Sequence, residues 1–297
     1  MPPTPATSMA RAAAKKIDIS AYTAKSVIGD DKVEKIGLFG DPATGKTSFL
    51  VGPLVVDDNC KVLVVSTDLG TDGTEALVDW AHMNDRMDIV QPERLLNITI
   101  GSYKPFYAFL NGEAEKFLPP NWIPDLIMHD GMTSMNVDAI DEEMLVEHES
   151  KEMKDNDLRE DGLAAGQQDW GGIKRLTLRT MRQFMSLQIG GKMPHKVVTY
   201  LRAEGKVDDS KAALRAVQTR DGPLLQGTGR AFANVPVDLF IKTSRVVEDK
   251  KVEYYYDIAG DSSKTAVKRR GHSNLPDRMK ADPIALWKMI RRVAPKE

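Results

Sequence analysis

Residues 40–47 read GDPATGKT and match the phosphate-binding pattern G-x-x-x-x-G-K-[ST] at every fixed position. The apolar run KIGLF at Lys35–Phe39 comes directly before the loop and predicts a buried strand. After the loop, Thr47–Val51 can begin a helix. A chance match in a chain of this composition has a probability of about one in a hundred. The stretch therefore predicts an α/β fold that holds a nucleoside triphosphate between a strand and a helix.

Each fixed position of this loop has a physical role. Gly40 and Gly45 permit backbone angles and close approaches that a side chain forbids. The backbone N–H groups surround an anion, Lys46 reaches the β- and γ-phosphates, and the Thr47 hydroxyl can ligate Mg²⁺. We therefore expect ATP and Mg²⁺ as cofactors. The residues expected to hold the nucleotide are Gly40, Asp41, Pro42, Ala43, Thr44, Gly45, Lys46, Thr47 and Ser48.

The composition is that of an ordinary globular protein, with 41% hydrophobic and 28% charged residues among 297. Cys60 is the only cysteine, which excludes a disulfide framework, and the five histidines lack the spacing of paired zinc ligands. No apolar run approaches the roughly 18 residues of a membrane span. We expect a cytoplasmic protein without a membrane partner, in the host cytoplasm if the chain is viral. The net charge of −2 neither indicates nor excludes a nucleic-acid partner.

Strands and helices alternate along most of the chain, which predicts a mainly parallel sheet flanked by helices, with a β-rich C-terminal edge. We expect a disordered tail over residues 1–25 and one domain over residues 26–297. The predicted strands are Lys35–Phe39, Lys61–Thr67, Leu95–Ile100, Asp125–Asp130, His195–Leu201, Val237–Ser244, Val252–Ile258 and Thr265–Arg270. The predicted helices include Thr74–Met83, one within Pro105–Leu118, a long one around Ile173–Met185, and Pro283–Val293.

Asp130 ends a strand about eighty residues after the loop, following largely apolar residues. This is the Walker B pattern, in which an acid at the carboxyl end of a strand holds the metal opposite the loop. We therefore expect Thr47 and Asp130 to be the metal ligands. The alternative is an Asp that only starts the Asp130–Gly131 turn. His129 points to the other face of the strand and is interpreted as a core histidine.

The chain resembles the RecA-like ATPases in the order of its elements. The phosphate-binding loop is followed by a strand that ends in Thr-Asp-Leu-Gly (67–70), then by the Walker B strand and then by a strand with a polar end. That resemblance implies a RecA-like P-loop fold in which Asp68 polarises the attacking water. The usual residue there is Glu, so the carboxylate of Asp68 has about 1.5 Å less reach. Asp72 or Glu75 are the alternatives, and slow hydrolysis is another.

Residues 266–271 read AVKRRG and resemble the K-x-R motif of a phage subfamily of RecA-like recombination and single-strand annealing ATPases. The stretches Gln168–Gly171 and Gly222–Asp238 are similar to that subfamily as well. The resemblance implies that Lys268 and Arg270 reach the γ-phosphate of a neighbouring subunit in a ring or filament, where a cation accelerates phosphoryl transfer by ~10³ or more. The alternative is a solvent-facing basic edge strand.

The same resemblance implies a single-stranded DNA partner, contacted by segments at about Glu149–Gln168 and Arg202–Gly222. The first segment is mostly acidic, and the second carries five basic and four acidic residues. We therefore expect an ATP-hydrolysing protein of phage recombination, annealing or replication, with Lys46, Asp68, Asp130, Lys268 and Arg270 as catalytic residues. The alternatives are a nucleotide-gated assembly ATPase that does not bind DNA and a small-molecule kinase. The kinase is disfavoured because nothing in the sequence suggests a phosphate-acceptor lid and because Gly52–Pro53 interrupts the helix after the loop.

Overall fold

The structure is a computed structural model. It describes residues 32–67, 74–135, 169–203, 221–225, 236–249, 251–259 and 267–292. Over residues 169–175 it describes the backbone alone. The chain divides into two units, Met1–Lys32 and Val33–Glu297. The predicted tail lies outside the described residues, and the strands and helices of the structure belong to the second unit.

The second unit is an α/β structure with a mixed, mostly parallel sheet. Its strands are β1 Lys35–Gly40, β2 Val62–Ser66, β3 Leu95–Thr99, β4 Leu126–Asp130, β5 His195–Ala203, β6 Gly222–Pro223, β7 Leu239–Glu248, β8 Lys251–Asp257, β9 Lys268–Arg269 and β10 Arg278–Lys280. Its α-helices are α1 Val51–Val56, α2 Glu75–Met83, α3 Tyr103–Ala108, α4 Asp169–Ser186 and α5 Pro283–Arg291. A 3₁₀ turn over Thr47–Leu50 leads into α1, and irregular helical turns continue α3 as far as Phe117.

Six strands run parallel in the order β3-β2-β4-β5-β1-β7. Strand β8 continues the sheet antiparallel to β7, and β10 is antiparallel to β8. The described residues therefore confirm an α/β fold with a mainly parallel sheet and a β-rich edge near the C-terminus. Strand β10 was not predicted, because three residues of mixed polarity carry no period-two signal.

The central strands are buried on both faces, as parallel strands between helices must be. Ile36 and Leu38 of β1 pack with the 3₁₀ turn, α1, α2 and α5, whereas Phe39 packs on the opposite face with α3 and α4. Side chains alternate in the same way along β2. The sheet therefore forms the middle of three layers, and the carboxyl ends of its parallel strands meet at one edge.

The helix after the loop does not end at Gly52–Pro53, contrary to the prediction. Pro53 lies in the first turn of α1, where a backbone N–H has no partner within the helix and its absence is tolerated. Helix α1 packs against α5, whose first turn is capped by the Asp282 carboxylate accepting from the Ala285 N–H at 2.9 Å. The predicted interruption is therefore wrong, and this reason against a kinase no longer holds.

Within the described part of the chain, no helix has the length and apolar character needed to cross a membrane.

Candidate functional site

The loop at residues 40–47 leaves β1 at the carboxyl edge of the parallel sheet, where ligands of open α/β sheets bind. Ala43 has φ of 57° and Gly45 has φ of 83°, so left-handed residues flank Thr44. Alternating backbone conformations of this kind direct successive N–H groups into one concavity suited to an anion. The helical turn that begins at Thr47 adds its own N-terminus. The backbone of the loop is therefore shaped to receive an anion.

Gly40 is required by the close approach of β7. A Cβ atom at Gly40 would lie 2.1 Å from Thr243 Oγ1 and 2.5 Å from the Thr243 carbonyl oxygen. Thr243 Oγ1 is also 2.7 Å from Thr44 Oγ1, and the Thr44 hydroxyl donates to the Asp41 carbonyl oxygen at 2.7 Å. Both threonines are buried. The loop is therefore held by β7, a strand about 200 residues later in the chain.

The Lys46 side chain bonds back to the first two residues of the loop. It donates to the carbonyl oxygens of Gly40 at 3.1 Å and Asp41 at 2.8 Å. Lys46 also lines the cavity beside the loop, where its positive charge favours an anion.

Asp130 lies opposite the loop, at the end of β4. Its Oδ2 accepts from the Thr47 hydroxyl at 2.8 Å, and its Oδ1 accepts from the Thr199 hydroxyl at 2.5 Å. Thr199 comes from β5, which lies between β1 and β4. Both predicted metal ligands are thus brought together. Thr199, which the sequence did not single out, orients the carboxylate.

This arrangement fits Mg²⁺. Proteins hold that ion through one or two oxygen ligands, with substrate phosphates and waters completing the octahedron, and Thr47 with Asp130 provides such a pair. The described residues hold no group of three or more His, Cys, Asp or Glu side chains that could bind a metal by themselves. A site of the Mg²⁺–nucleotide kind does not need one.

His129 is a core residue, as predicted. It is fully buried and its ring stacks on Phe106 with centroids 4.4 Å apart. Its Nε2 lies 3.2 Å from Thr67 Oγ1, and the Thr67 hydroxyl donates to the Gly131 carbonyl oxygen at 2.9 Å. Burial lowers the pKa of His129 to about 3, so the ring is neutral at physiological pH. It holds the end of β2 beside Asp130.

The predicted water-orienting residues are described only in part. Asp68 and Asp72 lie outside the described residues. Thr67, which precedes Asp68, donates its backbone N–H to the Asp130 carbonyl oxygen at 2.8 Å. Glu75 is exposed at the start of α2. The end of β2 is therefore beside Asp130, and the roles of the three acids stay predictions.

A cavity of about 470 Å³ opens from the loop toward an aromatic wall. Its volume lies within the range of small-molecule sites. The wall joins α2, β8 and the start of α5, and Tyr254 within it is 41% exposed. The residues that line the cavity are Ala43, Thr44, Gly45, Lys46, Thr47, Ser48, Ala76, Trp80, Tyr254, Tyr256, Ala281 and Pro283. The aromatic part was not predicted from the sequence, although the run of three tyrosines at 254–256 was a visible signal.

A network of ion pairs borders the beginning of the loop. Arg202 donates to Asp41 at 3.1 Å and to Asp221 at 2.8 Å, and Lys242 donates to Asp221 at 2.6 Å. Burial alone would raise the pKa of Asp221, but the hydrogen bonds from Arg202 and Lys242 outweigh it and lower that pKa. Of the two segments expected to contact DNA, 149–168 lies outside the described residues and 202–222 is described only at its ends. At those ends Arg202 is held by carboxylates.

The basic residues near the C-terminus lie beside the amino end of β7. Strand β9 pairs with Leu239 and Phe240, at the amino end of β7, whereas Thr243 lies beside Gly40. Phe240 and Thr243 are three residues apart, which is about 10 Å along β7. Lys268 donates to the Val237 carbonyl oxygen at 2.5 Å, and Arg270 is exposed. Strand β9 covers Lys268–Arg269 of the predicted strand Thr265–Arg270, of which residues 265 and 266 lie outside the described residues. It lies beside the amino end of β7 rather than beside the loop of its own chain.

Comparison with known proteins assigns no family to the chain. No protein-family model matches the chain, and the search of curated proteins found no match either.

Proposed function

We propose that this chain is a Mg²⁺-dependent RecA-like ATPase that acts on single-stranded DNA in phage recombination, annealing or replication. The observation that carries the ATPase proposal is the 2.8 Å hydrogen bond between the Thr47 hydroxyl and the Asp130 carboxylate. It joins the two residues that must share one metal ion, and they come from sequence positions 83 residues apart. The DNA partner rests on the resemblance of the sequence motifs.

In this proposal the backbone of residues 40–47 and the Lys46 ammonium bind the triphosphate. Thr47 and Asp130 hold Mg²⁺, which when bound neutralises charge on the phosphate oxygens. Thr199 keeps the Asp130 carboxylate aimed at the loop through its hydrogen bond. The nucleobase occupies the aromatic end of the cavity, against Trp80 and Tyr254.

Hydrolysis needs two further parts, a positioned water and a cation at the developing charge. We assign the first to Asp68, with Asp72 and Glu75 as alternatives, since the end of β2 adjoins Asp130. We assign the second to Lys268 or Arg270 of a second copy in a ring or filament. Arg270 is the stronger candidate, because Lys268 is engaged by the Val237 carbonyl.

A second candidate function is a nucleotide-gated assembly protein without a DNA partner. The observation that favours it is the pairing of Arg202 with Asp41 and Asp221. A cation held by two carboxylates contributes less to phosphate binding than an unneutralised one. In that case the same nucleotide site controls self-association.

ATP turnover with and without single-stranded DNA separates the two functions, with Lys46→Ala as the inactive control. The DNA-linked ATPase predicts turnover that DNA stimulates and that Lys46→Ala abolishes. Turnover that DNA leaves unchanged, together with no salt-sensitive DNA binding, supports the assembly protein instead. Phosphate transfer from ATP to a metabolite would contradict both and indicate a kinase.

The inter-subunit assignment has its own test, in which Lys46→Ala protein is mixed with Arg270→Ala protein. Shared interfaces predict that the mixture regains part of the activity that each variant lacks. A mixture as inactive as its components contradicts the assignment.

A further inference from the structure

Helix α4 presents two arginines on its outer face. Arg179 and Arg182 are both exposed, whereas Thr180 and Met181 between them are buried. The rise of the helix separates the two arginines by about 4.5 Å along its axis. Both guanidinium groups therefore belong to one surface, on the side of the helix that faces away from the sheet.

The positive charge of this face is not neutralised within the helix. Four of the residues in α4 are basic, and its only acidic residue is Asp169 at the first position. No carboxylate lies one turn from Arg179 or Arg182, where an intrahelical ion pair would form. In the part of the chain that the structure describes, neither arginine takes part in an ion pair. The face is thus a local basic surface on a chain with a net charge of −2.

An aromatic ring from α3 completes the surface. The guanidinium carbon of Arg179 lies 5.3 Å from the centroid of the half-buried Tyr107 ring. Tyr103 and Thr180 meet at 3.4 Å, and Gln183 donates to Asn111 at 2.8 Å, so α3 and the turn after it are tied to α4. The ring and the arginines therefore keep a fixed relation to each other.

A groove of about 340 Å³ runs along this face. The residues that line it are Leu178, Arg179, Arg182, Gln183 and Ser186. It therefore combines two guanidinium groups, an amide and a hydroxyl with an apolar side chain, and Tyr107 lies under one of the guanidinium groups.

We infer that this face of α4 and α3 binds the backbone of a single-stranded nucleic acid. The inference rests on the proposed function, because it locates the surface for the DNA partner named there. Arginines bind phosphates through paired N–H donors, and single strands add stacking of their unpaired bases on aromatic or guanidinium planes. This surface offers the paired donors of two arginines, and the exposed Arg179 guanidinium, supported by the Tyr107 ring beneath it, offers a plane for stacking. The surface lies outside the two segments that the family resemblance indicates.

Fluorescence anisotropy with a labelled oligo(dT) of 30 nucleotides tests the inference. Arg179→Gln/Arg182→Gln is compared with Lys251→Gln/Lys288→Gln, which removes two exposed cations from β8 and α5. We expect the arginine variant to weaken binding at least about tenfold. The slope of the logarithm of the association constant against the logarithm of the salt concentration should become about 1.4 less steep. Each of the two lost phosphate contacts on a single strand contributes about 0.7 to that slope. The lysine control should bind within about twofold of wild type.

Tyr107→Leu tests the aromatic contribution while keeping an apolar side chain. It removes the ring that supports the Arg179 guanidinium plane. It should weaken oligo(dT) binding with an unchanged salt slope, because both arginines remain and stacking does not release counterions. An arginine variant that binds like the lysine control would overturn the inference, as would a wild-type protein that fails to bind oligo(dT). Poly-glutamate and unlabelled DNA can be compared as competitors at equal charge. If poly-glutamate displaces the labelled oligo(dT) equally well, the inference is overturned and an acidic protein partner is indicated.

Binding of a fluorescent ATP analogue by the same proteins keeps this inference separate from the proposed function. The arginine variant should bind the nucleotide as wild type does, since α4 does not line the cavity at the loop. If the arginine variant loses DNA binding and keeps nucleotide binding, the result supports the DNA surface and leaves the nucleotide site intact. Nucleotide binding that is absent from wild type, or equal in wild type and Lys46→Ala, contradicts the proposed function instead.

Discussion

Thr199→Val removes one hydroxyl from the site and changes almost nothing else. Thr199 is 1% exposed, and valine has nearly the same shape. Its hydroxyl donates to Asp130 Oδ1 at 2.5 Å, within the range of charge-assisted O–H···O⁻ bonds. A hydrogen bond to a charged group contributes about 1.5–3 kcal/mol. We therefore expect the free energy of unfolding, measured in urea, to fall by about 2 kcal/mol.

The functional effect of Thr199→Val should be specific to the metal. Loss of a group that orients a metal ligand typically lowers metal affinity or activity about 10–100-fold. Titration with a fluorescent ATP analogue should show a Kd raised by about that factor in Mg²⁺. The Kd should be unchanged in EDTA, where Asp130 has no metal to hold.

Thr180→Val is the matched control for Thr199→Val, because it removes a buried hydroxyl from α4 that donates to the Leu176 carbonyl at 2.9 Å. It should change stability without changing the effect of Mg²⁺ on nucleotide binding. Thr199→Val protein with wild-type affinity in Mg²⁺ would refute the assignment of Asp130 as a metal ligand oriented from β5.

Three further predictions concern buried groups. Thr44→Val and Thr243→Val should each lower the free energy of unfolding by about 1 kcal/mol. The double-mutant cycle should show a coupling energy of at least about 0.5 kcal/mol. Purely additive effects would contradict a hydrogen bond between the two threonine hydroxyls. Burial lowers the pKa of His195 to about 4, so stability present above pH 6.5 should be lost as the pH falls toward 4. The free energy of unfolding should fall by about 2 kcal/mol between pH 6.5 and pH 5 because of His195 alone. His195→Asn should reduce the measured pH dependence by that amount, and an unchanged dependence would contradict it. Burial raises the pKa of the Cys60 thiol to about 12; a thiol reagent at pH 8 should therefore label the protein only after unfolding, and rapid labelling of the native protein would show that Cys60 is accessible.

The sequence was sufficient for the parts of the site that local pattern determines. Apolar runs predicted β1 and β4, and their last residues placed Gly40 and Asp130 at strand ends. Because parallel strands end at one edge, the pairing of Thr47 with Asp130 could be predicted before any strand order was known.

The remaining contacts depend on strand order, which hydrophobic periodicity does not encode. Thr199 contacts Asp130 only because β5 lies between β1 and β4, and Thr243 supports the loop only because β7 flanks β1 on the other side. A threonine inside each apolar run was the available signal, since a polar residue in a buried strand needs a partner. The aromatic wall joins residues about 170 positions apart, so no local pattern could have assembled it.

The most direct measurement is a crystal structure with a non-hydrolysable ATP analogue and Mn²⁺, whose anomalous scattering locates the ion. The proposed site predicts a Mn²⁺ peak bound to Thr47 and Asp130, the phosphates within residues 40–47, and the base against Trp80 and Tyr254. A nucleotide bound elsewhere, or a metal ion that contacts neither Thr47 nor Asp130, would contradict it.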